Sequence, residues 1–201
     1  MKTLVIVDFQ KDFANPSGSL YVKGSEQAEE AIVNYITKNA KDLSDVIFTV
    51  DWHSPNHCSF EKNGGIWPVH CVQFSEGAGI SDKILKACID NNISYQIFQK
   101  GTNDEEEEYG AFAYIDLMYG PNPWHTFVNQ DHDSYVELNT HSFIVCGIAG
   151  DYCVSETIKN LIKHQDVTPL SIEVFKNGIA SIDDGTKLDN FIKAINLKVV
   201  E

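Results

Sequence analysis

Short β-branched runs alternate along this chain with segments whose apolar residues recur at helical spacing, the rhythm of a parallel sheet covered by helices on both faces. The runs fall at Thr3–Val7, Val46–Val50, Tyr95–Gln99, Phe143–Cys146 and Pro169–Val174, with a sixth at Leu197–Val200. Between them, Ala28, Ile32, Tyr35 and Ile36 recur at helical steps after a candidate cap at Ser25, and Ile84, Leu85, Cys88 and Ile89 do so after Ser81. Val154, Ile158, Leu161 and Ile162 repeat the pattern after Asp151, and Leu188, Phe191 and Ile192 close it. The stretch 113–141 breaks the rhythm: Pro121, Pro123 and weak periodicity read as an irregular insertion around any short helix. With 201 residues, no internal repeat and no Pro/Ser linker, one domain spanning 1–201 is expected.

Composition narrows the function classes. Basic side chains number 15 against 29 acidic ones, a net charge of −14, and there is no Arg. Nucleic-acid surfaces concentrate Lys and Arg, so that class is excluded, and no guanidinium fork is available to grip a carboxylate or phosphate. A neutral substrate is favoured. No apolar run approaches the roughly 20 residues that cross a bilayer, and Leu4-Val5-Ile6-Val7 is too short for a signal-peptide core. The five Cys (Cys58, Cys71, Cys88, Cys146, Cys153) are an odd number in a chain able to fill its own core. Reduced thiols in a cytoplasm fit better than a disulfide framework.

Ligands of open parallel sheets sit beyond the carboxyl ends of the strands. Asp8 follows the first run, Asp51 the second, Lys100 the third, and the turn Ala149-Gly150-Asp151-Tyr152-Cys153 the fourth, so four polar or reactive elements share one sheet edge. Cys153 stands near a helix start, where backbone N–H groups stabilise a thiolate, a nearby Lys lowers its pKa, and the same amides could bind an oxyanion. The plainer reading makes it a small buried hydrophobe, which suffices for Cys88 and Cys146. Asp51-Trp52-His53 with His57, followed by Trp67-Pro68-Val69-His70-Cys71, offers a carboxylate and imidazoles to a divalent transition metal. Exposed loop histidines are the plainer account, and Cys58 with Cys71 admits a rival structural zinc site. The run Asp104–Glu108 reads as a solvated loop. Phe13, Trp67 and Tyr109 are loop aromatics that could pack a lid or form a slot for a flat ring.

These residues resemble the nicotinamidase branch of the isochorismatase-like cysteine hydrolases. The match runs through Val7-Asp8-Phe9-Gln10-Lys11-Asp12-Phe13, Gly18-Ser19-Leu20, Asp51-Trp52-His53 with His57, Trp67 to Cys71, Lys100-Gly101-Thr102, Tyr109-Gly110-Ala111-Phe112 and the Cys153 turn, about three quarters of the chain. The resemblance implies a three-layer αβα fold with a six-stranded, mostly parallel sheet, and Asp8, Lys100 and Cys153 as catalytic triad. It implies Asp51, His53 and His70 as metal ligands with His57 a fourth or outer group, and an oxyanion hole from the amides of Ala149 and Cys153 beside a cis Ile148-Ala149 bond. The cofactor implied is one divalent transition metal ion, zinc first, with iron or manganese as alternatives. The substrate implied is a small neutral aromatic amide held between Phe13, Trp67 and Tyr109, its pyridine nitrogen on the metal: nicotinamide, hydrolysed to nicotinate and ammonia through a thioester on Cys153, a step of NAD salvage. Neither nucleic acid nor membrane is an expected partner, and a homo-oligomer stays open. The rivals are a related hydrolase of a carbamoyl or ureido amide or a vinyl ether, and a metal-binding module that has lost catalysis. Gly150 departs from the family, which usually has Thr there, as do the long stretch 113–141 and Phe175-Lys176-Asn177, which replaces an expected Asp-Ala pair.

Overall fold

A computed structural model describes residues 1–115, 125–129, 131, 134–138, 142–163 and 171–201. Its elements follow the alternation of the sequence. Strands β1 (Lys2–Val7), β2 (Leu43–Asp51) and β3 (Tyr95–Lys100) are separated by helices α1 (Lys11–Ala14), α2 (Ser25–Asn39) and α3 (Asp82–Asp90). A three-stranded antiparallel sheet follows, formed by β4 (Tyr114–Ile115), β5 (His125–Val128) and β6 (Tyr135–Leu138). The chain then runs through β7 (Phe143–Ile148), α4 (Ser155–Lys163), β8 (Ile172–Ala180), α5 (Thr186–Ala194) and β9 (Lys198–Val200).

Among the described residues, six strands form the main sheet in the order β3-β2-β1-β7-β8-β9, and every neighbouring pair is parallel. Successive side chains of a strand point to opposite faces, and here both faces are buried. Leu4 and Ile6 of β1 join Ile32 and Ile36 of α2 and Ile84 and Cys88 of α3 in one core. Val5 and Val7 join Ile158 and Leu161 of α4 and Leu188 and Ile192 of α5 in the other. The result is the expected three-layer αβα fold. The strand order reverses direction between β1 and β7, and such a switch opens a crevice beyond the carboxyl ends of those strands.

Several local expectations need correction. Ser81 caps α3, its Oγ accepting the N–H of Ile84 at 3.3 Å. Ser25 does not cap α2: it is the first helical residue, Gly24 precedes it at φ 94°, and its hydroxyl donates back to the Val22 carbonyl. Asp151 does not cap α4 either, because a wide turn over Gly150–Val154 intervenes. Its carboxylate instead accepts the N–H groups of Ile182 at 2.9 Å and Asp183 at 3.2 Å, tying the turn to the end of β8. The stretch 113–141 carries strands rather than a short helix among its described residues, and Ser134 Oγ accepts the N–H of Gln99 at 2.8 Å, joining it to the sheet edge. Strands of two to four residues are too short for an alternating pattern to register. Pro121, Pro123, Pro169 and Leu170 lie outside the described residues. Among the described residues no helix is long and apolar enough to cross a membrane.

Candidate active site

Four strand ends each deliver one group to the crevice. Asp8 leaves β1 at φ 46°, its N–H bonded to the Thr49 carbonyl at 3.0 Å and its Oδ1 accepting the Thr49 hydroxyl at 2.7 Å. Asp51 and Lys100 are register partners at the ends of β2 and β3. Gln10 fixes Asp51 from both sides of its backbone, accepting its N–H at 2.7 Å and donating to its carbonyl at 2.8 Å. After β7 the Ile148–Ala149 peptide is cis, and the Ala149 carbonyl accepts the N–H groups of Tyr152 and Val154, both at 3.1 Å, closing the turn around Cys153. A Cβ on Gly150 would stand 2.4 Å from Ser181 Oγ, 2.8 Å from Ile179 Cγ2 and 3.0 Å from Leu188 Cδ2, so this departure from Thr is packed tight by its neighbours.

Lys100 is the hub. Its Nζ lies 2.9 Å from Asp8 Oδ2, donates to Asp51 Oδ1 and to the Glu108 carbonyl (3.2 Å), and stands 4.0 Å from Cys153 Sγ. Ligating atoms of Asp8, Asp51 and Cys153 all lie within 4.8 Å of one another. Lys100 and Asp8 are wholly buried and Cys153 nearly so. Burial pushes the Asp8 carboxyl up to about 6 despite the opposing Lys100 ammonium. For Asp51 burial also acts upward, but Lys100 and then His53 outweigh it and hold the carboxyl well below its usual range. Burial would lower Lys100, yet Asp51 and Asp8 keep it firmly protonated. The Cys153 thiol is raised by burial, with Lys100 opposing, so it rests protonated beside a carboxylate able to accept its proton.

Asp51 turns its other oxygen toward the imidazoles: Oδ2 is 3.5 Å from His53 Nε2 and 3.9 Å from His70 Nε2. His53 Nδ1 bonds the Gly101 carbonyl and His70 Nδ1 the Pro68 carbonyl, each at 2.7 Å. A carbonyl only accepts, so both Nδ1 atoms carry the proton and both Nε2 lone pairs face the carboxylate, the arrangement that outer hydrogen bonds impose on metal-binding histidines. Buried His53 Nε2 has no hydrogen-bond partner among the described residues. These three side chains therefore fit a divalent metal ion. His57 stands apart from that cluster. Its Nδ1 lies 2.8 Å from the Ser59 hydroxyl and 3.2 Å from the Ser59 N–H, its buried Nε2 has no hydrogen-bond partner among the described residues, and its ring lies tilted against His53 at 4.0 Å between centroids. Burial, then His53, pulls its pKa down to about 4.

Above these groups lies a small pocket. All three predicted aromatics, Phe13, Trp67 and Tyr109, line it with Leu20, Val22 and Tyr152, and Ala149, Cys153, Asp51 and His70 form its polar end. Trp67 Nε1 donates to the Tyr109 hydroxyl at 3.0 Å and its ring meets Tyr152 edge-on at 5.2 Å. Sequence reasoning missed Tyr152, Thr49 and Gln10, although all three adjoin motifs already singled out. It also misjudged the acidic run. Asp104, Glu105 and Glu106 are exposed as expected, but Glu107 lines the pocket and Glu108 is buried. Cys71 is buried and Cys58 half-buried, and neither belongs to the metal-competent cluster.

No protein-family model matches the chain. The nicotinamidase of Saccharomyces cerevisiae is 28% identical to it across the whole of both chains. The solved structure of that yeast nicotinamidase, Pnc1p, superposes with a TM-score of 0.76 at 27% identity, covering 100% of this chain and 99% of its own. PnC1 of L. infantum, solved in complex with nicotinate, gives 0.71 at 26% identity over 100% of this chain and 92% of that one. A pyrazinamidase of Pyrococcus horikoshii in complex with zinc shares the fold, with a TM-score of 0.71 at 24% identity over 100% and 98% of the two chains. In sequence and in fold, this chain is similar to nicotinamidases over its whole length.

Proposed function

We propose that the protein hydrolyses nicotinamide to nicotinate and ammonia, with Cys153 as nucleophile, Asp8 as proton carrier and Lys100 as the fixed charge between them. The observation that carries this reading is one ammonium placed 2.9 Å from a buried carboxylate and 4.0 Å from a buried thiol at the floor of an aromatic-walled pocket. Asp8 takes the thiol proton as Sγ attacks the carboxamide carbon, and the N–H groups of Ala149 and Cys153 receive the developing oxyanion. Asp8 returns the proton to the departing nitrogen, releasing ammonia and leaving a thioester. It then deprotonates a water that cleaves the thioester, which frees nicotinate and restores the thiol. Phe13, Trp67 and Tyr109 hold the flat ring by contact and exclude water from it. A divalent ion, zinc in our reading, would be held by Asp51, His53 and His70 and would supply Lewis-acid chemistry at that end of the pocket. The intact set of Asp8, Lys100 and Cys153 speaks against a lapsed metal-binding module. The absence of Arg speaks against a dianionic vinyl ether.

The test is ammonia release from nicotinamide by zinc-loaded wild type and Cys153→Ala. Turnover in wild type with loss of at least a thousandfold in the variant is expected; equal rates, or no turnover by the loaded wild type, reject the proposal.

A further inference from the structure

Glu108 has no part in the chemistry above, yet its side chain is buried at 6% exposure directly behind the catalytic edge. Its Oε2 accepts the Gly101 N–H at 2.9 Å, while its own carbonyl accepts Lys100 Nζ at 3.2 Å. The other face of the same residue, the Gly101 carbonyl, takes the Nδ1 proton of His53 at 2.7 Å. Gly101 sits at φ 63°, and a Cβ there would stand 2.5 Å from His53 Cε1, so the strand end passes against the imidazole with only hydrogen to spare. Glu108 Oε1 has no hydrogen-bond partner among the described residues. A buried carboxylate with one oxygen unsatisfied lowers stability, so its presence calls for a gain elsewhere.

We infer that Glu108 is a positioning residue for His53: its carboxylate pins the turn at Gly101 so that the Gly101 carbonyl holds the His53 ring with Nε2 aimed at Asp51. The inference deepens the proposed metal site and rests on that reading for its effect on metal binding, though not for its effect on the ring. Loss of the acceptor at 108 lets the turn shift, and the imidazole loses the bond that fixes both its tautomer and its direction. An amide oxygen can accept the same N–H, so Glu108→Gln keeps the device and Glu108→Met, similar in length and apolar, removes it.

The experiment uses the full chain as wild type, E108Q and E108M. Zinc affinity is read by competition with a chromophoric chelator, and the His53 tautomer by nitrogen-15 NMR of the metal-free protein in alkaline buffer. We expect E108M to bind zinc about 10–100-fold more weakly, E108Q to stay within about threefold of wild type, and the His53 proton to sit on Nδ1 in wild type and E108Q but to divide between the two nitrogens in E108M. Unchanged zinc affinity and tautomer in E108M, with only a lower melting temperature, overturn the inference. So does a wild-type His53 protonated on Nε2, a result that stands even if E108M fails to fold. Wild type that binds no zinc yet shows the predicted tautomers defeats the metal reading and leaves Glu108 in its role.

Discussion

Replacing Lys100 by Met probes the site and the fold together. The ammonium lies 2.9 Å from Asp8 and bonds Asp51, and Lys100 and Asp8 are wholly buried. Met matches the stem but leaves two carboxylates facing each other without a cation, and removing one partner from a buried ion pair costs about 3–5 kcal/mol. The loss depends on pH in a definite direction. Asp8 already titrates at about 6 in the folded protein against an ordinary 3.8. That rise of 6 − 3.8 = 2.2 is worth about 3 kcal/mol at roughly 1.4 kcal/mol each. A carboxyl whose folded pKa is raised gives stability that is complete below its unfolded value and is lost as pH climbs through the folded one. Without Lys100 the downward pull on Asp8 is gone, so its folded pKa rises further and the variant goes on losing about 1.4 kcal/mol per pH unit where the wild type has levelled off. Urea unfolding of both proteins, stripped of metal by a chelator, should therefore show a gap of about 3–5 kcal/mol at pH 8 that narrows by about 1–3 kcal/mol at pH 5. In thermal melts the wider gap corresponds to roughly 10 °C for a chain of this length. A gap of the same size at both pH values, or one below about 1 kcal/mol, refutes the reasoning from a charge-balanced buried cluster.

Three further outcomes are expected. The kcat/KM of the zinc-loaded enzyme should fall tenfold per pH unit below about pH 6, because protonated Asp8 cannot take the thiol proton; a break near pH 4 would show that Asp8 titrates as an ordinary carboxyl. Trp67→Ala removes a pocket wall that packs on Tyr152 and ties down Tyr109, and should raise KM for nicotinamide about 10–100-fold by steady-state kinetics while shifting the melting temperature by only a few degrees. Ile158→Ala, at a fully buried position of α4, should lower unfolding free energy in urea by about 2–5 kcal/mol without changing KM.

The layered architecture was legible because period-2 and period-3.6 patterns are imposed by burial itself. Leu4 and Ile6 face one core and Val5 and Val7 the other, and that double burial is what makes the run continuously apolar. The placement of Asp8, Asp51, Lys100 and Cys153 on one edge followed from the same strand ends. Caps were less readable: Ser25 and Ser81 look alike in sequence, and only the tertiary path of the Gly24 turn sends one hydroxyl back to Val22 instead of forward. Glu108 was invisible for a different reason. Charge runs are solvated on average, and nothing local separates it from Glu105 or Glu106; its burial comes from Gly101, seven residues away along the chain, presenting an N–H that needs an acceptor.

Gly150 ties its own tolerance for substitution to the side chains around it. Side-chain atoms of Ser181, Ile179 and Leu188 fill the room that a side chain at 150 would occupy, so a threonine introduced there alone has to displace them. A library that varies position 150 by itself should score larger residues there as destabilising. One that pairs it with Ser181→Gly will find it negotiable, and the difference between the two measures epistasis rather than catalytic need.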